Sequence, residues 1–252
     1  MDRIPIAVQL YSVREQCQED LPGTLEAIHD MGYEGVEFAG YYGYSAEELR
    51  QMLDDLGLAV AGTHTGLSTL MPDELEATVE FNRILGNRNL VVPGLPEERR
   101  GSKEAWLETA ALFADLAEQV KPLGMRVGYH NHTVEFRNLG REKEKPWDIF
   151  FTATSPEVIM QVDTGNAMAG GGEPGALINN YPGRAKTVHL KEYHSKNKKA
   201  LIGEGQVNWR KVFRACETVG DTEWYIVEQE SYAYEPLECI ARCLDALEAM
   251  GK

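Results

Sequence analysis

Short apolar runs alternate with amphipathic stretches along the chain, and at four places a glycine marks the change: Met31-Gly32, Leu56-Gly57, Leu85-Gly86 and Leu123-Gly124. Behind each glycine, apolar residues recur at helical spacing. Ahead of it, within one to three residues, β-branched and aromatic residues gather, as in Gly35-Val36-Glu37-Phe38 and Asn89-Leu90-Val91-Val92. A glycine just past a helix takes the left-handed conformation that ends it, and the residues that follow suit a buried strand. Extended over the chain, the pattern predicts strands near Ile6 to Tyr11, Gly35 to Phe38, Ala59 to Thr63, Asn89 to Val92, Arg126 to His130, Val158 to Val162, Thr187 to Leu190 and Tyr225 to Glu228. Helices are predicted near Leu21 to Met31, Ala46 to Leu56, Glu74 to Leu85, Lys103 to Val120, Pro146 to Thr152, Gly175 to Asn180, Trp209 to Val219 and Pro236 to Met250. Strict alternation implies parallel pairing through right-handed crossovers, and eight such units close into a barrel. The expectation is an α/β fold, a single (β/α)8 TIM barrel domain over residues 1–252. No glycine-rich phosphate turn follows the first strand, against a doubly wound sheet, and Gly170-Gly171-Gly172 reads as a flexible loop.

Composition narrows the partners. A formal charge of −15 disfavours nucleic acid, which needs a basic surface to neutralise phosphates. No run approaches the roughly 20 apolar residues of a membrane span, and the amino terminus lacks a secretory pattern, so a cytoplasmic protein with no membrane partner is expected. The four cysteines, Cys17, Cys216, Cys239 and Cys243, have no metal-site spacing and read as reduced thiols. A homo-oligomer is compatible with the sequence, which does not specify one.

In a parallel barrel the chemistry collects where the strands end, because their carboxyl ends share one rim. Strand six ends in Asp163, strand seven in His189, strand eight in Glu228 and strand five in His130-Asn131-His132. Carboxylates and imidazoles on adjacent strand ends form a mixed oxygen and nitrogen site, suited to Mn²⁺, Zn²⁺, Co²⁺ or Mg²⁺. Each residue alone has a plainer reading: Asp163 as a helix cap, His189 as a hydrogen-bonded structural residue, Glu228 as a surface charge.

At these residues the chain resembles the xylose-isomerase-like barrel superfamily, the sugar phosphate isomerase/epimerase group that also includes keto-sugar epimerases, inosose dehydratases and endonuclease IV. The resemblance is carried by Gln9-Leu10-Tyr11-Ser12, Gly35-Val36-Glu37-Phe38, Val162-Asp163-Thr164-Gly165-Asn166, Val188-His189-Leu190-Lys191-Glu192, Gly203-Glu204-Gly205 and Val227-Glu228. It implies Asp163, His189 and Glu228 as metal ligands, with a fourth from the end of strand five. Many relatives have Glu where His130 stands. The His130-Asn131-His132 form followed by Glu135 is more similar to the inosose dehydratase branch, and leaves either His130 or Glu135 as the fourth ligand, with His130 preferred.

The implied chemistry is proton abstraction next to a carbonyl of a keto sugar or polyol-derived substrate, by an isomerase or epimerase. An inosose dehydratase or 3-keto-sugar lyase is the alternative. Glu228 on one side and His132 or Glu135 on the other are the candidate bases. Lys191 is expected to hold a substrate oxygen or polarise a carbonyl, or else to pair with Glu192 or Glu230. His64 and Glu37 are expected at the substrate, unless His64 is a capping or packing residue and Glu37 pairs with an arginine. Of the rim aromatics Tyr11, Phe38, Tyr41, Tyr42, Phe136 and Trp209, one or two are expected to touch substrate. Two further readings are an endonuclease IV-like DNA-repair enzyme, which six histidines supply poorly, and a barrel that binds sugar without turnover.

Overall fold

The computed structural model describes residues 3–140 and 143–252. Eight parallel strands close in sequence order: β1 (Ile6–Gln9), β2 (Gly35–Phe38), β3 (Ala59–His64), β4 (Asn89–Val92), β5 (Arg126–His130), β6 (Ile159–Asp163), β7 (Thr187–Leu190) and β8 (Trp224–Val227), with β8 pairing back onto β1. The chain therefore forms a (β/α)8 TIM barrel. Around it lie α1 (Arg14–Glu19), α2 (Leu21–Met31), α3 (Ala46–Leu56), α4 (Leu75–Leu85), α5 (Lys103–Val120), α6 (Pro146–Ala153), α7 (Thr164–Gly170), α8 (Pro174–Asn180), α9 (Trp209–Ala215) and α10 (Pro236–Ala249). The glycines of the repeating motif all take positive φ, from 69° at Gly57 to 100° at Gly32, a conformation a β-carbon would strain.

Alternation along each strand divides the residues between two environments. Ile6 and Val8, Val36 and Phe38, Leu90 and Val92, Val127 and Tyr129, Met160 and Val162, Val188 and Leu190, and Tyr225 and Val227 all join the large apolar core shared with the helices. The intervening residues face the lumen, where Ala7, Ala61 and Ile226 form a small buried apolar cluster with Trp224 packed against it. The upper lumen is polar: Gln9, Glu37, His130, Gln161, Asp163, His189 and Glu228 are all buried there.

The structure departs from the sequence pattern at three places. β1 stops at Gln9 and turns into a 3₁₀ segment, Leu10–Val13, because the Gln9 side chain accepts the amide of Tyr11. Gly170-Gly171-Gly172 is not a flexible loop: Gly170 ends α7, Gly171 caps it at φ 92°, and β-carbons at 170 and 172 would lie within 3.0 Å of the Phe136 side chain. The helix predicted through Val219 changes to a π turn over Cys216–Gly220. All four cysteines are free and buried. Among the described residues no helix is long and apolar enough to cross a membrane.

Candidate metal centre and active site

The ends of β5 and β6 are fastened together by a side chain. Asn131 Oδ1 accepts the backbone N–H of Asp163 at 2.9 Å, and its Nδ2 donates to the Asp163 carbonyl at 3.2 Å, continuing the ladder one step beyond the last strand pair. Asp163 then caps α7: Oδ1 accepts the backbone N–H of Asn166 at 2.7 Å, while Oδ2 accepts Asn166 Nδ2 at 3.1 Å. The capping role and a place in the donor set coexist, since Oδ2 also lies 4.0 Å from His130 Nε2.

His130, Asp163, His189 and Glu228 each bring one donor atom to a common point, all within 4.8 Å of one another and all buried. His189 Nδ1 lies 3.1 Å from Glu228 Oε2, and on its other side Nε2 lies 2.5 Å from Glu37 Oε2. Glu135, the other candidate from strand five, is held elsewhere. The 3₁₀ turn Val134–Phe136 directs its carboxylate to the Tyr129 hydroxyl at 2.6 Å and the His132 backbone N–H at 2.8 Å.

Charge is concentrated in this buried space. Burial raises the Asp163 carboxyl to about 7, Lys191 opposing and Glu228 reinforcing the shift. Burial works against protonated His189, but the Glu37 and Glu228 carboxylates prevail and lift it to about 10. Glu228 stays well below the usual carboxylate range despite its burial, held there by Lys191 and His189. Burial drives His130 well below an ordinary imidazole, so it is neutral. Two imidazoles and two buried carboxylates make a donor set that fits a divalent first-row ion.

The set opens into a cavity of about 420 Å³ lined by Tyr11, Gly40, His64, His132 and Glu230, among others. Tyr11, 41% exposed, is the rim aromatic that lines it, whereas Phe38, Phe136 and Trp209 are buried in the core. His132 is lowered from the ordinary histidine value, chiefly by burial, against the pull of Glu135 and Glu228, which leaves it neutral. Lys191 pairs with Glu230 and lies 3.6 Å from Glu228 and 3.7 Å from Asp163. Burial disfavours its charge, but these carboxylates raise its pKa above that of a free lysine. Glu192 is not its partner: one oxygen accepts the amides of Tyr193, Gln206 and Val207, the other those of Gly203 and the Trp209 indole, pinning the loop that carries Gly203-Glu204-Gly205.

Glu37, expected at the substrate or beside an arginine, lies beneath the donors at 0% exposure, with histidines and glutamines as its partners. His64 lines the cavity, with Nε2 turned down to Gln161 Oε1 at 3.0 Å. Gln9, Asn131, Gln161 and Asn166 carry much of the site's geometry; the first, second and fourth lie in segments that carry the resemblance but had no role assigned, and Gln161 lies outside them, because an amide has no chemistry of its own to mark it. His29 is on α2 and His194 in the exposed loop after β7, away from the donor set. A second cavity, about 870 Å³, opens at the amino-terminal end of the strands between Ile4, Cys216, Thr222 and Lys252. That face of such barrels serves stability.

A model of the family described as xylose isomerase-like TIM barrel matches residues 25–250. The chain belongs to that family. Within it, the chain is 25% identical over 246 residues to the inosose dehydratase of Lacticaseibacillus casei, covering 81% of each chain. Among solved structures, a sugar phosphate isomerase/epimerase from Parabacteroides distasonis superposes with a TM-score of 0.85 at 22% identity, covering 99% of this chain and 95% of that one. An L-ribulose 3-epimerase does so at 0.72 and 18%, covering 99% and 94%. Likeness at these identities establishes the shared barrel.

Proposed function

We propose that the chain is a divalent-metal-dependent enzyme that removes a proton next to the carbonyl of a keto sugar or inositol-derived ketone and expels a neighbouring hydroxyl as water. His130, Asp163, His189 and Glu228 would hold the ion, which supplies Lewis acidity toward the carbonyl oxygen.

The observation that carries this reading is the placement of His132. It is a neutral imidazole on the cavity wall, while both carboxylates on that wall, Glu228 and Glu230, are engaged by Lys191. A ring nitrogen of His132 takes the carbon-bound proton, and the imidazolium passes it to the departing hydroxyl on the same face of the substrate. The C–H and C–O bonds break, a C=C bond forms, water leaves, and His132 returns neutral. Lys191, held as a cation, donates N–H to the oxygen on which charge develops. Tyr11 offers a flat face to a ring. The likeness to an inosose dehydratase supports the same class of substrate.

Epimerisation is the second reading, favoured by Glu228, an ionised carboxylate on the cavity wall that would take the carbon-bound proton while a solvent proton relayed by His132 returns to the same carbon, Glu228 then losing its proton to water. Incubating the metal-loaded protein with keto sugars and inososes in deuterated water separates the two. Loss of water supports the lyase; solvent deuterium in a product of unchanged formula replaces it with the epimerase.

A further inference from the structure

Beneath the donor set, Glu37 and Gln161 join side chain to side chain across the lumen, on strands β2 and β6. Gln161 Nε2 donates to Glu37 Oε1 at 2.7 Å and to Thr187 Oγ1 at 2.9 Å. Both partners accept there, so the amide nitrogen is assigned to that side and Oε1 to the other. Gln161 Oε1 faces His130 Nδ1 at 2.9 Å and His64 Nε2 at 3.0 Å. An amide oxygen only accepts, so each of those nitrogens carries a proton. Glu37 Oε2 accepts Gln9 Nε2 at 2.6 Å and faces His189 Nε2 at 2.5 Å, so that nitrogen is protonated as well. A β-carbon at position 62 would lie 2.8 Å from Glu37 Oε1, so Gly62 leaves the space the carboxylate occupies.

We infer that Glu37 and Gln161 are positioning residues that fix opposite tautomers on two histidines. The proton of His130 is held on Nδ1 and that of His189 on Nε2, so His130 Nε2 and His189 Nδ1 are the nitrogens left to bind an ion beside Asp163 and Glu228. The inference rests on the metal-dependent reading proposed above. It also removes Glu37 from contact with substrate.

The pair is tested by exchanging it. In Glu37→Gln alone, two amides meet and one –NH₂ must point the wrong way. If the new amide on β2 turns its nitrogen to His189, that ring must move its proton to Nδ1. If Gln161 flips instead, its nitrogen faces His130 and the proton there moves to Nε2. Either way one donor lone pair is lost, and zinc affinity should fall about 10- to 100-fold, the usual effect of losing an outer-sphere partner. In the exchanged variant, Glu37→Gln with Gln161→Glu, every donor again meets an acceptor. The amide oxygen now on β2 accepts from Gln9 and His189. The carboxylate now on β6 accepts from His130, His64, Thr187 and the amide nitrogen facing it. Affinity should return to within about threefold of wild type, a coupling that a double-mutant cycle isolates.

Zinc titration calorimetry on the three proteins is paired with ¹⁵N histidine spectra of the metal-free wild type, which need no variant. His130 carrying its proton on Nδ1 supports the inference; a proton on Nε2 overturns it. So do wild-type affinity in Glu37→Gln, an exchanged variant that melts like wild type yet binds no better than the single one, and two zinc ions per chain, since the second would need the inner nitrogens. A wild type that binds no zinc while His130 keeps the Nδ1 proton ends the metal reading and leaves the tautomer assignment standing.

Discussion

Lys191 holds its ammonium 3.6 Å from Glu228 Oε2 while being tied to Glu230 on the rim. It is a resident cation at the edge of a site that, on the reading proposed here, binds another one. Lys191→Met removes that competitor and should tighten zinc binding near pH 8 by roughly tenfold, because a unit charge at such a distance is worth a few kcal/mol at most in a partly screened setting. Turnover should fall at the same time, since the group facing the developing oxygen charge is gone. Calorimetry together with a rate assay checks both; weaker binding in the variant would show that the lysine organises the carboxylates rather than competing with the ion.

Asp163→Ala and Glu228→Ala should each lose zinc by more than about a hundredfold, beyond what outer-sphere partners typically cost. The barrel should stay folded, because its apolar core lies between sheet and helices. Asp163→Ala also removes the cap of α7, worth about 1 kcal/mol. Metal content after dialysis and a melting curve read the two effects separately, and stoichiometric metal in both variants would remove the site assignment.

Protons and metal compete for the same atoms. The metal-free protein carries a proton on Asp163 below about 7 and on His189 below about 10, and binding expels both. Metal affinity therefore rises with pH, with a slope of about two protons per ion below pH 7 and about one above it. The gap between the melting temperatures of loaded and metal-free protein should widen in the same direction. Titrations between about pH 6 and 8 test the slope, and a flat profile contradicts the assigned protonation.

His132 and Glu135 should separate cleanly. His132→Asn is expected to lower kcat by about 10²- to 10⁴-fold with metal content unchanged, the usual range for a lost general base. Glu135→Gln keeps the shape but weakens the contacts to Tyr129 and the His132 amide, so a fall of about tenfold or less is expected for a group that acts through His132. Its pH–rate profile should shift with that of His132. A larger loss in Glu135→Gln than in His132→Asn would make Glu135 the base.

The eight strands were legible because four helix stops are written as glycines and each strand as a short apolar run. That Asp163, His189 and Glu228 would come together was legible because strand ends converge. Which of His130 and Glu135 would lie beside them was not, since it depends on which way the 3₁₀ turn after β5 carries a side chain, and Glu135 turns to the Tyr129 hydroxyl. Glu37 and Gln161 stand 124 residues apart and meet only when the barrel closes. α7 was missed because Gly170-Gly171-Gly172 reads as loop; a cap from Asp163 and packing against Phe136 make the segment before it a helix.

The small apolar cluster of the lumen has a consequence for how this barrel changes over time. Every second residue of a strand belongs to the scaffold, and the polar residues between them near the rim face the candidate site, so neighbouring positions answer to different selective demands. Inward substitutions can redirect a reaction while the shell between sheet and helices goes on holding the sheet closed. One backbone can thus pass from one sugar transformation to another without first learning to fold again.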